Sequence, residues 1–196
     1  MTKRLSLLIL SFFSLGRAAS AQEVSFGAKG GLNIADLTNV SASKARASIH
    51  LGAFAKVRFT EEWAVQPELV YSGQGAKIDP NVPLLGDYTL ALNYINLPVM
   101  LQYHLIPEFH LEAGPQIGFL VAAKAKEDGN SINLKDEYKG MDFGLGFGLG
   151  YTFDMGLGVN ARYNFGLTDV FDGNGDSRKN SVAQFGVYYI IGKAKR

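Results

Sequence analysis

The chain has 196 residues, of which 47% are hydrophobic and 19% are charged, and it carries a formal net charge of +1. This is the length of one domain, and the absence of cysteine excludes disulfide frameworks, thiolate metal sites and cysteine nucleophiles. Glycine is in excess, with 23 residues, or about 12% against the usual ~7%, so the composition departs from that of an ordinary soluble domain.

Residues 1–21 are predicted to be a signal peptide. Lys3 and Arg4 supply a basic start, residues 5–15 form an apolar run, and small residues lead to a cleavage site after Ala21. The run is shorter than the ~20 residues of a spanning helix, which disfavours an uncleaved anchor. The predicted mature chain, residues 22–196, lacks three basic residues of the signal, so its formal charge falls from +1 to −2. No basic patch remains for a nucleic-acid partner, and none is expected.

The mature chain is predicted to form eight strands, because apolar and polar residues alternate with a period of two from Val24 onwards. The expected strands are residues 24–33, 48–60, 63–75, 89–103, 109–122, 141–153, 157–167 and 181–192. The sixth is the most regular, with large apolar residues at odd positions and glycines at even positions from 144 to 150. Val70, Leu120, Tyr188 and Ile190 depart from the alternation.

The connections between these strands alternate in length. Tight turns are expected at 60–63, 104–108 and 154–156, and long polar loops at 34–47, 76–88, 123–139 and 168–180. Outer-membrane barrels have this pattern, with the turns in the periplasm. A sheet in lipid must also close on itself. The sequence therefore predicts an all-β fold, an eight-stranded antiparallel up-and-down transmembrane β-barrel, in the outer membrane of a Gram-negative bacterium.

Three prolines interrupt the predicted strands. Pro67, Pro98 and Pro115 each remove a donor from the ladder. We expect a bulge, or a strand end, close to each of them.

Aromatic residues mark the two ends of the apolar face. If this face meets lipid, one aromatic girdle lies at the turn-side ends of the strands and a second lies nearer the loops. The turn-side girdle consists of Phe26, Phe59, Trp63, Tyr103, Phe109, Phe153 and Tyr189. The loop-side aromatics are Tyr71, Phe119, Phe143, Phe165 and Phe185. A soluble lipocalin-like barrel is the alternative, but the glycine-rich polar face suits a crowded lumen better than a water-facing surface.

Several charged residues are expected to point into the lumen. They are Lys29, Lys56, Arg58, Glu68, Glu112, Asp142 and Arg162. Lys29, Glu68, Glu112 and Arg162 should share one depth. Eight strands leave an interior that side chains just fill, so a paired, hydrogen-bonded plug is predicted, since a lone charge there would be heavily penalised. A narrow ion path is the alternative.

Five segments resemble a known family. They are residues 26–33, 93–103, 112–119, 142–151 and 162–169, and they are similar to the PorT-like outer-membrane β-barrels of Bacteroidota. The resemblance implies an eight-stranded, "porin-like" barrel, usually without an assigned activity, and a link to protein secretion and gliding machinery. The chain departs from many barrels, which end on an aromatic residue that the insertion machinery reads, because residues 193–196 are Lys-Ala-Lys-Arg.

Catalytic and metal sites receive little support. His50 is expected to point inward, with Ser48 and Asp142 within possible reach, which leaves a small outer-membrane hydrolase or acyltransferase as an unfavoured alternative. His104 and His110 flank a turn, where a solvated or interfacial position is expected.

Two glycine-containing segments imitate ligand-binding motifs. The glycines of 144–150 repeat every two residues and do not form a dinucleotide motif; they should instead leave room for bulky inward side chains such as Arg162 or Phe54. Residues 172–176 imitate half of a calcium loop, but Ala183 stands where a bidentate glutamate is needed. No catalytic residue, metal or cofactor is expected.

The functional hypothesis is a structural or interaction protein of the outer membrane with a largely filled lumen. Its expected partners are outer-membrane lipid, the barrel-insertion machinery and an envelope protein bound through loops or turns. A porin-like narrow channel is the second hypothesis, and an enzyme is not expected.

Overall fold

The computed structural model describes residues 23–40, 43–78, 88–127, 130–171 and 177–191. The predicted signal peptide with its cleavage site after Ala21, the calcium-like segment 172–176 and the basic residues 193–196 lie outside these ranges. Within them, no helix has the length and apolar character needed to cross a membrane.

The described residues consist almost entirely of strands. These are β1 (Glu23–Leu37), β2 (Ser43–Arg58), β3 (Trp63–Ile78), β4 (Tyr88–His104), β5 (Phe109–Glu127), β6 (Asn130–Asn133), β7 (Met141–Thr152), β8 (Leu157–Gly166) and β9 (Asn180–Ile191). One turn of 3₁₀ helix, Lys135–Glu137, follows β6.

Eight of these strands close into an antiparallel barrel. The hydrogen-bonded order is β4-β3-β2-β1-β9-β8-β7-β5, and β4 also pairs with β5, which completes the circle. β6 is a short addition to the end of β5, with which it pairs over residues 124–127. The predicted eight-stranded up-and-down barrel is confirmed, since neighbours along the chain are neighbours in the sheet. We call the end that carries the connections 59–62, 105–108 and 153–156 the turn end, and the opposite end the loop end.

The strands are longer at the loop end than predicted. β1 continues to Leu37, β2 begins at Ser43 and β5 runs to Glu127, so the predicted loops 34–47 and 123–139 are much shorter. Charged residues such as Lys44 and Lys124 break the apolar alternation there, but the backbone ladder continues. Strands that extend beyond lipid no longer need an apolar face, and periodicity therefore fails to detect them.

The prolines do not cause the expected bulges. Pairing of β3 with β4 keeps one register on both sides of Pro67, from Pro67↔Val99 to Val70↔Asn96. The register is likewise constant through Pro98 and Pro115. The shifts lie elsewhere: one between Ala45 and His50 of β2, opposite the part of β3 that contains Gly75 with φ of 104°, and one between Asn93 and Tyr94 of β4.

The two faces of the barrel have opposite polarity. Outward side chains of the strands are apolar and exposed, as for Leu51 (64%) and Phe26 (60%), whereas inward positions hold charged and amide side chains. A soluble lipocalin-like barrel would have the reverse arrangement, and that alternative is wrong. Val70, Leu120, Tyr188 and Ile190 all point inward and are buried, so the four departures from the alternation belong to the lumen.

Candidate functional site

The lumen contains a neutral cluster of four buried charges, Lys29, Glu68, Glu112 and Arg162, each at most 5% exposed. Arg162 donates from Nη1 and Nη2 to both oxygens of Glu68, at 2.9 and 2.7 Å, and from Nε to Oε1 of Glu112 at 2.7 Å. Lys29 Nζ lies 3.1 Å from Oε2 of Glu68. We call these four residues the central cluster. Its two positive and two negative charges balance, as burial in a low-dielectric interior requires.

Neighbouring polar groups complete the hydrogen bonding of the central cluster. Gln66 Nε2 donates to Glu68 at 2.8 Å, and Gln102 Nε2 donates to Glu112 at 3.1 Å. His110 Nε2 lies 3.9 Å from the second oxygen of Glu112. Each carboxylate therefore has partners on both oxygens, which holds Arg162 in one orientation across the lumen.

The glycines of β7 make room for this cluster. A Cβ atom on Gly148 would lie 2.9 Å from Oε1 of Glu112 and 3.2 Å from Cα of Arg162, and one on Gly146 would lie 3.4 Å from Cδ of Arg162. This is the room that the sequence predicts for Arg162. The ring of Phe54 lies against Gly27 of the neighbouring β1, where a Cβ atom would come within 2.2 Å of its Cζ, so a glycine outside β7 also makes room for it.

Three other predicted lumen charges lie apart from the central cluster. Lys56 is buried towards the turn end, with Nζ 5.9 Å from the ring centre of Tyr188. Asp142 is buried near the loop end, where it accepts hydrogen bonds from Thr168 Oγ1 at 2.6 Å and Asn180 Nδ2 at 2.9 Å. Arg58, the last residue of β2, is only half-buried. The structure thus divides the seven predicted charges into a cluster of four and three separate positions.

His104 and His110 are buried, which differs from the prediction made for them from the sequence. They are 4% and 2% exposed, lie opposite each other across β4 and β5, and have ring centres 5.1 Å apart. A solvated or interfacial position was expected because both flank a turn. The inward alternation of β4 and β5 instead continues to these terminal residues. The carbonyl of Glu62, in the connection 59–62, accepts a hydrogen bond from the backbone N–H of His104 at 2.6 Å.

The hydrolase-like trio does not assemble. Nδ1 of His50 lies 2.8 Å from Oδ1 of Asn33, whereas Ser48 Oγ donates to the carbonyl of Gly73. The carboxylate of Asp142 is bound by Thr168 and Asn180. A nucleophile, base and orienting carboxylate joined by hydrogen bonds would be required for triad chemistry. These three residues do not provide that chain of contacts.

A buried apolar cluster, which the sequence pattern did not reveal and which we call the apolar plug, lies at the loop end of the barrel. It consists of Leu37, Ala76, Ile78, Leu90, Leu92, Tyr94, Leu120, Ala123 and Val170. Leu92 and Tyr94 are fully buried at 0% exposure. Several of these residues lie where loops were predicted, so their inward direction was not visible. Leu90 and Leu92 instead lie inside the predicted strand 89–103, and the available signal there is the run Leu90-Ala91-Leu92, which is apolar at every position.

Little free space remains on the turn side of the central cluster. A cavity of about 10 Å³ lies among Lys29, Phe54, Gln66 and His110, with Tyr188 on its wall. This volume corresponds to about one water molecule. Phe54 and Tyr188 meet edge to face with ring centres 6.1 Å apart. Aromatic rings, the central cluster and the apolar plug therefore succeed one another along the lumen.

The predicted turn-side girdle lies on the outside of the barrel at the turn end. Phe26, Phe59, Trp63, Tyr103, Phe153 and Tyr189 are between 38% and 60% exposed, and Phe109 is half-buried. The rings of Trp63 and Tyr103 lie with their centres 4.8 Å apart and their planes tilted by 49°. The amphipathic rings are suited to the level of the lipid headgroups.

A closed antiparallel barrel with an apolar exterior and a charged interior defines the class of integral outer-membrane β-barrels, because lipid leaves no unpaired strand edge. Residues 19–172 match the family model described as "Outer membrane protein beta-barrel domain". The chain belongs to this family, and its location is the outer membrane of a Gram-negative bacterium.

Several solved structures are similar to this chain at low sequence identity. Neisserial surface protein A (NspA) is 12% identical, with 87% of this chain and 99% of that chain covered, at a TM-score of 0.52. Ail, the attachment invasion locus protein of Yersinia pestis, is 15% identical, with 87% and 99% covered, at a TM-score of 0.48. OprG from Pseudomonas aeruginosa is 13% identical, with 87% and 97% covered, at a TM-score of 0.46. The likeness to NspA concerns the fold alone. No curated protein sequence matches the chain.

Proposed function

We propose that this barrel has a closed lumen and acts as a structural or interaction protein that holds its loops and turns at the two membrane surfaces. The observation that carries the proposal is the central cluster, in which Arg162 bridges Glu68 and Glu112 across the lumen. The apolar plug adds a second closure. An ion that entered would have to break charge pairs and then cross an apolar layer, both of which are unfavourable.

Vesicle ion flux tests the proposal. Wild-type barrel is expected to give no potassium leak above that of empty vesicles. One variant shortens side chains of the central cluster (Arg162→Ser with Glu112→Ser), and a second shortens side chains of the apolar plug (Leu92→Ala with Leu120→Ala). Each variant alone should still block potassium, because the unaltered layer remains, and only the variant with all four substitutions should leak. Heat-modifiable gel mobility shows whether each variant is folded. A wild-type leak equal to that of the combined variant would contradict a closed lumen.

A narrow water-filled path is the second candidate, and one observation favours it. Both amide atoms of Asn160, Oδ1 of Asn164 and Nε2 of His50 are buried without a protein hydrogen-bond partner. Buried polar atoms of this kind commonly bind ordered water. The path would pass beside the central cluster, and its signature would be wild-type water permeation without ion flux.

We further propose that the protein belongs to the PorT-like group and contacts an envelope protein, in secretion or envelope assembly, rather than carrying out catalysis. The motifs in residues 93–103 and 142–151 support this relationship. Crosslinking in native membranes followed by capture of the barrel tests it: one reproducible envelope partner supports it, and recovery of the barrel alone contradicts it.

Export by a cleaved signal and insertion by the barrel-insertion machinery are proposed as the route to the membrane. The apolar run of residues 5–15 and the small residues before Gln22 support cleavage. Mass spectrometry of the membrane-extracted protein should find Gln22 at the amino terminus. Retention of residues 1–21 would contradict this.

A further inference from the structure

Asp142 is a buried carboxylate whose charge is not balanced by the groups that bind it. The residue is 6% exposed, and its hydrogen-bond partners, Thr168 and Asn180, are both neutral. Among the described residues, no ion pair includes Asp142. The central cluster is neutral in itself and supplies no excess positive charge. A buried charge is normally paired or bound to a metal ion, so the charge of Asp142 calls for a partner.

The hydrogen bonds around Asp142 are those of an ionised carboxylate. The hydroxyl of Thr168 accepts the backbone N–H of Phe143 at 2.9 Å and donates its own hydrogen to Oδ1 of Asp142 at 2.6 Å. Asn180 donates from Nδ2 to Oδ2 at 2.9 Å. Both carboxylate oxygens therefore act as acceptors, which favours the charged form. The missing partner is accordingly a cation.

Three buried oxygen atoms near Asp142 have no hydrogen-bond partner. They are Oδ1 of Asn180, the hydroxyl of Tyr94 and Oδ1 of Asn96, and the three residues are at most 3% exposed. Tyr94 extends from β4 across the lumen to interact with Asn180 and Asp142. Asn96 lies opposite Gly118 in the strand register, and Gly118 lies opposite Asp142. We call Asp142, Asn180, Tyr94 and Asn96 the oxygen site.

A glycine leaves room in the oxygen site. A Cβ atom on Gly118 would lie 2.6 Å from Oδ1 of Asn96 and 3.6 Å from the carbonyl oxygen of Asp142. A larger residue at this position would therefore press against the amide group of Asn96. Glycine keeps the lumen open between the amide on β4 and the carboxylate on β7.

The chemistry of the oxygen site suits a hard cation of single charge. Carboxylate, amide and hydroxyl oxygens are ligands that hard cations prefer. The described residues contain no group of three or more carboxylate, imidazole or thiolate side chains that could hold a metal ion, and one carboxylate balances one positive charge. The lumen is closely packed, which favours the smaller of the common alkali cations. We propose that the oxygen site binds one sodium ion.

A bound ion would connect three strands near the loop end. Tyr94 belongs to β4, Asp142 to β7 and Asn180 to β9. Thr168 is half-buried in the connection after β8, so an ion has access to Asp142 from the loop end. The site concerns one ion held in place, and it does not depend on whether the lumen conducts. Its expected consequence is a folded barrel whose stability depends on sodium.

Urea unfolding of the full-length barrel in detergent micelles tests the proposal, with the fluorescence of the single tryptophan, Trp63, as the signal. Sodium chloride is exchanged for N-methylglucamine chloride at constant ionic strength, because the organic cation is too large for the site. An ion that binds only the folded barrel lowers the unfolding equilibrium constant by about tenfold when its concentration is about ten times its dissociation constant. Wild type should show this response. Asp142→Asn keeps the shape of the side chain without its charge and should lose the response.

Two further variants separate the oxygen site from diffuse charge. The Tyr94 hydroxyl makes no hydrogen bond, so Tyr94→Phe should fold and should need about fivefold more sodium for the same response, which is the effect of one lost polar contact. Asp136→Asn removes an exposed carboxylate near the loop end and should respond to sodium as wild type does.

Equal unfolding of wild type in the two salts would overturn the proposal, and stability that rises only as pH falls would assign a proton to Asp142 instead. A full sodium response in Asp142→Asn would place the ion elsewhere and would also overturn it. If Asp142→Asn does not fold, an unchanged sodium response in Tyr94→Phe has the same meaning.

Discussion

Arg162→Met removes the residue that links the two carboxylates of the central cluster. Three hydrogen bonds of 2.7 to 2.9 Å are lost in one substitution. Glu68 keeps Lys29 and Gln66, and Glu112 keeps Gln102, but the four-charge cluster changes from neutral to a net charge of −1 in a buried site. The methionine side chain fills much of the arginine volume, so the main change is electrostatic.

The expected magnitude follows from the cost of an uncompensated buried charge. Breaking a buried ion pair by removing one partner costs about 3–5 kcal/mol. Adding Glu112→Gln removes the excess negative charge and leaves the pair of Lys29 and Glu68, so the double variant should recover about 1–3 kcal/mol relative to Arg162→Met alone. Lys139→Met, at an exposed position, should change stability by less than about 0.5 kcal/mol.

Urea unfolding in lipid vesicles measures these differences. The single tryptophan, Trp63, lies in the turn-end girdle, so its fluorescence reports departure from the membrane, and heat-modifiable gel mobility gives an independent reading. A strong electrostatic role of Arg162 in the cluster is refuted if Arg162→Met costs less than about 1 kcal/mol. It is also refuted if the double variant is no more stable than Arg162→Met, because the energetic coupling of the pair would then be absent.

The remaining predictions concern packing and the loop end. Gly148→Ala should lower the free energy of unfolding by about 1–3 kcal/mol in the same assay, because its Cβ would lie 2.6 Å from the carbonyl oxygen of Ala161. Gly140→Ala, whose Cβ would meet nothing within 4 Å, should be close to neutral. Equal losses for the two variants would contradict this prediction. Leu92→Ala in the apolar plug should cost about 2–5 kcal/mol and the lipid-facing Leu51→Ala clearly less, an order that unfolding can confirm or reverse. The backbone N–H of Phe171 donates to Asp169 and, with that of Arg178, lowers the pKa of its carboxyl. A carboxylate with a lowered folded-state pKa stabilises the loop at neutral pH and loses this contribution as pH falls through that pKa. The NMR amide shifts of Phe171 and Arg178 should therefore titrate with a midpoint below the usual ~3.9 of an aspartate. A midpoint at or above that value, or titration that persists in Asp169→Asn, would contradict this prediction.

The fold could be predicted because lipid imposes a simple rule on strands. Outward positions such as Leu51 and Phe26 must be apolar, so the period of two is clear wherever a strand crosses the membrane. The residues predicted to begin or end the strands at the turn end therefore lie close to those observed. Beyond the lipid the rule no longer applies, and the added length around Leu37, Ser43 and Glu127 could not be detected from the same pattern.

The sequence predicted which charged residues lie together in the lumen, but it did not predict which of them form ion pairs. Lys29, Glu68, Glu112 and Arg162 were expected at one depth, because depth depends only on the distance of a residue from the turn end. Which of them touch depends on strand register, and Arg162 reaches Glu68 across 94 residues of sequence. Register also places Phe54 against Gly27. Such contacts are tertiary and leave no trace in the local pattern.

The histidines and the plug show a third limit. His104 and His110 flank a turn, and sequence position alone cannot show that the inward alternation of β4 and β5 continues as far as these residues and buries both. Ala76 and Ile78 lie in a segment that was predicted to be a loop, so their inward direction became visible only with the continuation of β3 alongside β4. In both cases the missing information was the length of the barrel.

Single-channel recording of the wild-type barrel in a planar bilayer tests the central claim of a closed lumen most directly. Because the ion pairs of the central cluster and the apolar plug are both intact in the wild-type barrel, the current should stay at the baseline of the bare bilayer over a wide voltage range. Reproducible conductance steps that change size in Glu68→Gln, but not in Lys139→Gln outside the lumen, would contradict it.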